Sequence, residues 1–270
     1  MQPVKDINQY LAQHKLPHMW CPGCGNGLIL KQLLTGLAEL QIAREKAVLV
    51  SGIGCSGRAG DYVNFHRFQG THGRAIAFAT GIHLANPRLT VVCLMGDGDC
   101  GAIGLSHLIH AARRNINITA IVANNLNYGM TGGQYSPSTP DASVTSTSRP
   151  GKVGDALDLC SLTASAGAGY VARSTVYHIF EAQKMIREAL KTGGFGLVEI
   201  LTPCPTYFGR YNKLGSAVDM MEWLKKKTVP LDRFRQMNER QQQEHFWRGV
   251  LAKHDKPDFL SRYRDRGINQ

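Results

Sequence analysis

The stretch Leu89–Gly101, LTVVCLMGDGDCG, constrains the fold more than any other. An apolar run stops at Gly96, and glycines at 96, 98 and 101 follow. The next segment, Gly104–Asn115, has a helical pattern with basic residues at its C-terminal end, where they complement the helix dipole. A strand delivered through a glycine turn into a helix is one half of a βαβ unit. The same alternation recurs along the chain. AVLVSG (47–52), ITAIVANN (118–125) and FGLVEIL (195–201) read as buried strands. Ile29, Leu33, Leu34, Leu37 and Leu40 mark a helix, and two more helices near 155–166 and 176–191 flank the short GYVAR. The pattern predicts an α/β fold with a mostly parallel, doubly wound sheet and helices on both faces. Gly129–Gly154 is rich in Gly, Ser, Thr and Pro and reads as a long functional loop. Residues 1–210 form the expected α/β domain. Residues 211–270, with 13 Lys and Arg against 8 Asp and Glu, read as a helical, basic extension packed on the core or on a partner subunit.

Bulk properties exclude several classes. No run of about 18 apolar residues is present, so no transmembrane helix is expected. The N-terminus is polar and has no apolar core of a secretory signal, which points to the cytoplasm. Seven cysteines without a signal do not read as a disulfide framework; in a reducing compartment they bind metals or react. The net charge of +11 serves solubility, or a docking face for an acidic protein. The clustered basic stripe that nucleic acid requires is missing.

Gly96, Gly98 and Gly101 fit the G-x-G-x-x-G of a dinucleotide site, but Ala102–Pro140 contains no Asp or Glu to hold a ribose. Asp97 and Asp99 lie where a pyrophosphate would approach, and two carboxylates repel it unless a cation intervenes. Magnesium suits such a site, with further oxygen ligands from a neighbouring strand end. One crossover later, the strand Ile118–Ala123 ends in Asn124-Asn125. The bland alternative is a glycine turn plus an Asx turn. G-D-G followed at this interval by N-N resembles the thiamine diphosphate signature. Carried over by position, the resemblance implies Mg²⁺ held by Asp97, the Asn125 side chain and the Asn127 carbonyl. It also implies a diphosphate facing backbone amides around Gly98, Asp99, Met130 and Thr131, helped by a helix N-terminus.

Cys21 and Cys24, in WCPGCG, could be a redox dithiol, half a zinc site or half an iron–sulfur site. A thioredoxin motif needs a strand just upstream, and none is predicted. Zinc would usually bring a second pair at short spacing, and none exists. Instead Cys55 (SGIGCSGRAG) and Cys204 (LTPCPTYFGR) each follow a predicted strand. Strand ends of a parallel sheet share one edge, so all four thiols can meet there, and four thiolates fit a [4Fe-4S] cluster. Cys93 reads as core packing, Cys160 as structural, and Cys100 has only its place beside Asp99 to suggest a role.

Together W-C-P-G-C-G, G-I-G-C-S-G, H-G-R-A, G-D-G-D, N-N-x-N-Y-G-M-T-G-G-Q and P-C-P resemble the β subunit of the 2-oxoacid:ferredoxin oxidoreductases, in order, over residues 18–210. The resemblance implies a pyrophosphate-binding type domain carrying thiamine diphosphate, Mg²⁺ and one [4Fe-4S] cluster on Cys21, Cys24, Cys55 and Cys204. Gly54, Ser56, His72, Gly96, Asp97, Gly98, Asp99, Asn125, Gly129, Met130 and Thr131 are the expected cofactor contacts, and His72 the candidate for orienting substrate or shuttling a proton. The expected reaction is oxidative decarboxylation of a 2-oxoacid with coenzyme A, electrons passing to ferredoxin. An α subunit is expected to complete the active site, since no motif for the ylid-forming glutamate is found here. Tyr128–Thr139 is expected to cover the substrate. TGGQ and PCPTYFGR look like the 2-oxoglutarate branch, and Gly132 stands where some broad-specificity relatives carry lysine. Pyruvate or a branched-chain 2-oxoacid is the alternative substrate. A non-oxidative thiamine-dependent decarboxylase subunit and a zinc-stabilised interaction protein are the alternative functions.

Overall fold

A computed structural model describes residues 6–267. Four strands, β1 (Ala47–Ser51), β4 (Thr119–Asn124), β5 (Tyr170–Thr175) and β6 (Gly196–Leu201), are buried along their whole length. Burial on both faces is what continuous apolar runs in a parallel sheet require. With β2 (His66–Gln69), β3 (Thr90–Gly96), β7 (Thr228–Pro230) and β8 (Phe246–Lys253) they form one eight-stranded sheet, in the order β2-β1-β3-β4-β6-β5-β8-β7. From β2 to β5 every pairing is parallel; β8 runs antiparallel to β5.

Side-chain alternation along the strands divides the interior into two cores. Leu49, Val92, Leu94 and Ile121 face one side, where α1 (Asn26–Glu39) packs on α5 (Ile179–Lys191). Val48, Val50, Val91, Cys93 and Met95 face the other. That side is covered by α2 (Ala75–Ala85), α3 (Leu105–Arg114) and α4 (Leu159–Ser165). The buried Cys93 is core packing, as expected.

Before Arg210, one strand and one α-helix carry no sequence signal. The edge strand β2, HRFQ, is exposed at every residue and has no apolar pattern to reveal it. Helix α2, AIAFATGIHLA, is apolar around most of its circumference and lacks the polar face that marks a surface helix.

The chain beyond Arg210 needs correction. It holds α6 (Ala217–Lys227), α7 (Leu231–Arg235), α8 (Glu239–Glu244) and α9 (Phe259–Asp265), but also β7 and β8. These strands continue the sheet of the main domain, so the segment is part of one core. β8 was missed because a register shift opposite Val171 and Ala172 breaks its alternation. No helix among the described residues is long and apolar enough to cross a membrane.

Candidate functional site

The sheet order places a switch point between β1 and β3. After β1 the chain moves outward to β2, then returns across β1 to β3. Crevices at the carboxyl ends of such strands are where α/β sheets hold ligands. A cavity of about 90 Å³ lies there, lined by segments 53–56, 96–99 and 127–131, with His72, Ala123 and Asn125. Every residue expected to touch the cofactor lines it. After β3 the helix does not start regularly: Asp99–Ile103 form a π turn, with the Gly104 N–H donating to the Asp99 carbonyl at 3.1 Å. Such turns concentrate at functional sites.

Asp97 is 1% exposed. Its Oδ2 accepts from Ser136 Oγ at 2.5 Å and Ser138 Oγ at 2.6 Å. The other oxygen faces more oxygen. Asn125 Oδ1 lies 3.2 Å from Asp97 Oδ1 and 2.6 Å from the Asn127 carbonyl. Two arrangements satisfy such a trio: an amide turned so that Nδ2 donates to both oxygens, or a cation among all three. Burial pushes the Asp97 carboxyl up to about 6, against the pull of the serine hydroxyls, so its charge is held at a cost. The Asn127 side chain also lines the cavity, and both its amide atoms are buried without a partner. A hard, oxygen-seeking divalent cation fits this donor set, and the orphaned amide leaves a donor for an anionic group beside it.

The Asp99 side chain, which was not expected among the cation ligands, is engaged elsewhere. Its Oδ1 accepts from the Gly73 N–H at 2.6 Å and its Oδ2 from the Ile53 N–H at 3.1 Å. His72 Nδ1 lies against Asp99 Oδ1. Both oxygens are thus committed to protein donors, and Asp99 ties the β1 and β2 exit loops to the π turn. Burial pushes its carboxyl upward, and the Gly73 N–H and His72 pull the other way. Gly52 permits this approach, because a Cβ there would stand 1.8 Å from Asp99 Oδ2. With Nδ1 on the carboxylate, His72 Nε2 has no partner among the described residues, and the ring lies edge-on to Tyr128, centroids 6.2 Å apart.

The loop expected to cover a substrate has two parts. Gly129, Met130 and Thr131 line the cavity, and Met130 is exposed. Ser136, Ser138 and Thr139 are instead buried behind Asp97. These hydroxyls were missed. Only fold contacts 39 and 41 residues apart in sequence bring them to Asp97, and no local pattern signals that.

Cys21, Cys24, Cys55 and Cys204 line a second cavity, of about 80 Å³. No group of three or more His, Cys, Asp or Glu among the described residues is arranged around a single ion. The four thiols surround a space instead, as a polynuclear cluster needs. Burial pushes the Cys24 thiol up to about 12 and the Cys55 thiol up to about 11, with smaller contributions from their sister thiols. Binding a metal cluster must therefore displace protons. The frame is tight. Trp20 Nε1 donates to the Cys55 carbonyl at 2.7 Å, and Trp20 packs on Tyr62. Gly25 lets the CxxC turn settle on the ends of β5 and β6, where a Cβ would stand 2.1 Å from Thr202 Oγ1 and 2.8 Å from Val176 Cγ1. Cys204 leads into a second π turn, Pro205–Gly209. Cys100 is fully buried, and Cys160 Sγ donates to Glu199 at 3.3 Å; neither lines the thiol cavity. Cys55, Asn125, Gly129 and Met130 line both cavities, so one wall separates them.

Residues 52–200 match the model of the thiamine pyrophosphate enzyme, C-terminal TPP binding domain. Among curated proteins, the chain is 48% identical over 221 residues to 2-oxoglutarate synthase subunit KorB of Methanothermobacter thermautotrophicus, covering 82% of this chain and 77% of that one. It is 51% identical over 198 residues to the subunit of the same name from Archaeoglobus fulgidus, covering 73% and 74%. It is 42% identical over 188 residues to 2-oxoacid:ferredoxin oxidoreductase 2, subunit beta, of Aeropyrum pernix, covering 70% and 61%. Among solved structures it is similar to 2-oxoglutarate:ferredoxin oxidoreductase from Magnetococcus marinus with 2-oxoglutarate, coenzyme A and succinyl-CoA bound. The TM-score is 0.85 and the identity 30%, over all of this chain and 93% of that chain.

Proposed function

This chain belongs to the thiamine pyrophosphate enzymes, and within them to the β subunits of the 2-oxoacid:ferredoxin oxidoreductases, and on that premise we propose that its substrate is 2-oxoglutarate. The reaction is CoA-dependent oxidative decarboxylation to succinyl-CoA and CO₂, with ferredoxin as electron acceptor, and the [4Fe-4S] cluster that would supply the electron relay would be held in this subunit. The shared wall between the Asp97 cavity and the four-thiol cavity carries the reading, because a decarboxylation site in the first would adjoin an electron exit in the second. The substrate follows from the relatives named for 2-oxoglutarate and from the solved relative that holds it together with coenzyme A.

Thiamine diphosphate supplies a carbanion-stabilising centre, and an iron–sulfur cluster accepts electrons one at a time. The chain's own residues bind and orient them. Asp97 Oδ1, the Asn125 side-chain oxygen and the Asn127 carbonyl would hold Mg²⁺, and the orphaned Asn127 amide would offer a donor to the diphosphate. Backbone N–H groups of Gly98, Asp99, Met130 and Thr131 complete the anion cradle. Asp99 fixes the ring of His72, so that Nε2 is the atom left to hold or pass a proton at the substrate. Cys21, Cys24, Cys55 and Cys204 are the cluster ligands, and Trp20 fixes the backbone of Cys55. Cys21 is exposed, and the net charge of +11 favours encounter with an acidic ferredoxin. An α subunit completes the site, and reduced thiols fit a cytoplasmic setting. A non-oxidative decarboxylase would use Asp97 and Asn125 but leave the thiol cavity without purpose.

The test is anaerobic ferredoxin reduction by the co-expressed αβ complex, with coenzyme A and either 2-oxoglutarate or pyruvate. The reading expects 2-oxoglutarate to win by at least tenfold in kcat/KM. Equal or better use of pyruvate overturns the substrate assignment.

A further inference from the structure

We propose that Ser136 and Ser138 are positioning residues that lock one oxygen of Asp97 so that the other is presented to a divalent cation; this rests on the Mg²⁺ reading above. Both hydroxyls converge on Oδ2, at 2.5 and 2.6 Å, and neither reaches Oδ1. Charge-assisted hydrogen bonds of this length fix a carboxylate's rotation. Oδ1 then faces the Asn125 side-chain amide, whose near atom stands 3.2 Å from it and 2.6 Å from the Asn127 carbonyl.

The serines are themselves braced. Ser136 N donates to Thr139 Oγ1 at 2.8 Å, and Thr139 Oγ1 donates to the Leu126 carbonyl at 2.7 Å, which ties the segment to the Asn124–Asn127 turn. Ser138 Oγ stands 3.0 Å from Asn124 Oδ1. The Asn124 amide cannot turn, because its Oδ1 accepts from the Leu126 N–H at 3.0 Å and its Nδ2 donates to Glu199 Oε1 at 2.7 Å. Glu199 is 1% exposed and receives Arg173 Nε on its other oxygen at 2.6 Å. Arg173 in turn reaches Asp158 at 2.8 Å and stacks on Trp247 at 4.1 Å. A buried ion pair is weak evidence of stability, since apolar residues of similar volume often serve as well. Here one of its oxygens fixes the asparagine whose Oδ1 stands beside Ser138 Oγ. The whole chain of contacts runs from the second sheet core to the face of Asp97 away from the cofactor cavity.

A merely structural role makes the opposite prediction for metal binding. If the hydroxyls only satisfy a buried charge, then at a pH where Asp97 stays ionised without them their removal leaves it more in need of a cation, so Mg²⁺ affinity holds or rises while the cofactor-free protein weakens. If they position the oxygen, Mg²⁺ affinity falls. Loss of such outer contacts typically weakens metal binding by about 10- to 100-fold.

The experiment is calorimetric titration of thiamine diphosphate into the cofactor-stripped αβ complex over a Mg²⁺ series at pH 8, where proton competition at Asp97 is least. It compares wild type, Ser136→Ala and Ser138→Ala, with melting points in chelator alongside. The proposal expects half-saturating Mg²⁺ to rise about 10-fold or more in each variant. Unchanged or lower half-saturation, with or without a drop in melting point, overturns it. The single variants are independent, so either one that folds decides; failure of both to fold marks the serines as structural and also overturns it. A wild type whose thiamine diphosphate binding ignores Mg²⁺ overturns the metal reading itself, which separates the two failures.

Discussion

Asp97→Asn should stabilise the cofactor-stripped protein. Burial raises the Asp97 carboxyl from 3.8 to about 6, a value that already includes the help of Ser136 and Ser138. In the unfolded chain the group ionises near 4, while in the folded chain it stays protonated until about 6. The native state is thus progressively penalised as pH rises between those values, and fully penalised above both. A rise of that size amounts to about 3 kcal/mol at pH 8 and falls below about 1 kcal/mol at pH 4. An asparagine carries no charge, keeps an oxygen for the serines and sets an N–H₂ against Asn125 Oδ1 and toward the Asn127 carbonyl. The assay is thermal melting of wild type and Asp97→Asn in excess chelator at pH 4, 6 and 8. For a chain of roughly this size about 2–4 °C accompanies each kcal/mol, so a gain of about 6–12 °C is expected at pH 8, shrinking toward zero at pH 4. The same variant should lose Mg²⁺-dependent thiamine diphosphate binding. A variant less stable than wild type at pH 8, or a difference independent of pH, refutes the picture of a carboxylate held charged for a cation.

Serine at Cys21, Cys24, Cys55 or Cys204 should each abolish or sharply reduce bound iron while thiamine diphosphate content persists; alanine at Cys93 or Cys100 should leave iron unchanged, as iron and sulfide assays would reveal. Trp20→Phe keeps the ring packing but removes the donor to the Cys55 carbonyl, costing about 1 kcal/mol, read as a lower melting point and faster loss of iron in air. Gly25→Ala forces a Cβ into Thr202 and Val176, an overpacking worth about 1–3 kcal/mol, and should lower iron occupancy more than thiamine occupancy.

The main sheet was legible because parallel strands buried on both faces leave continuous apolar runs, as at Ala47–Ser51 and Thr119–Asn124. Strand ends were legible too, since glycines and polar residues must follow where the crevice opens. Asp97, Asn125, Cys55 and Cys204 lie just beyond such ends, whereas Cys21 and Cys24 are exposed by their own CxxC spacing. What lay hidden depends on contacts distant in sequence. Ser136 and Ser138 look like loop residues until the fold sets them behind Asp97. Asp99 looks like a partner of Asp97 until Gly73, Ile53 and His72 claim both its oxygens. β8 is disguised by its bulge, and β2 by having no buried face.

Anaerobic purification of the αβ complex, followed by iron, sulfide and thiamine analysis and an absorption spectrum, tests the central claim most directly. The account predicts about four irons, four sulfides and one thiamine diphosphate attributable to this chain, and a visible band that bleaches on adding 2-oxoglutarate with coenzyme A. Thiamine diphosphate without iron, or a cluster that 2-oxoglutarate cannot reduce, would contradict it.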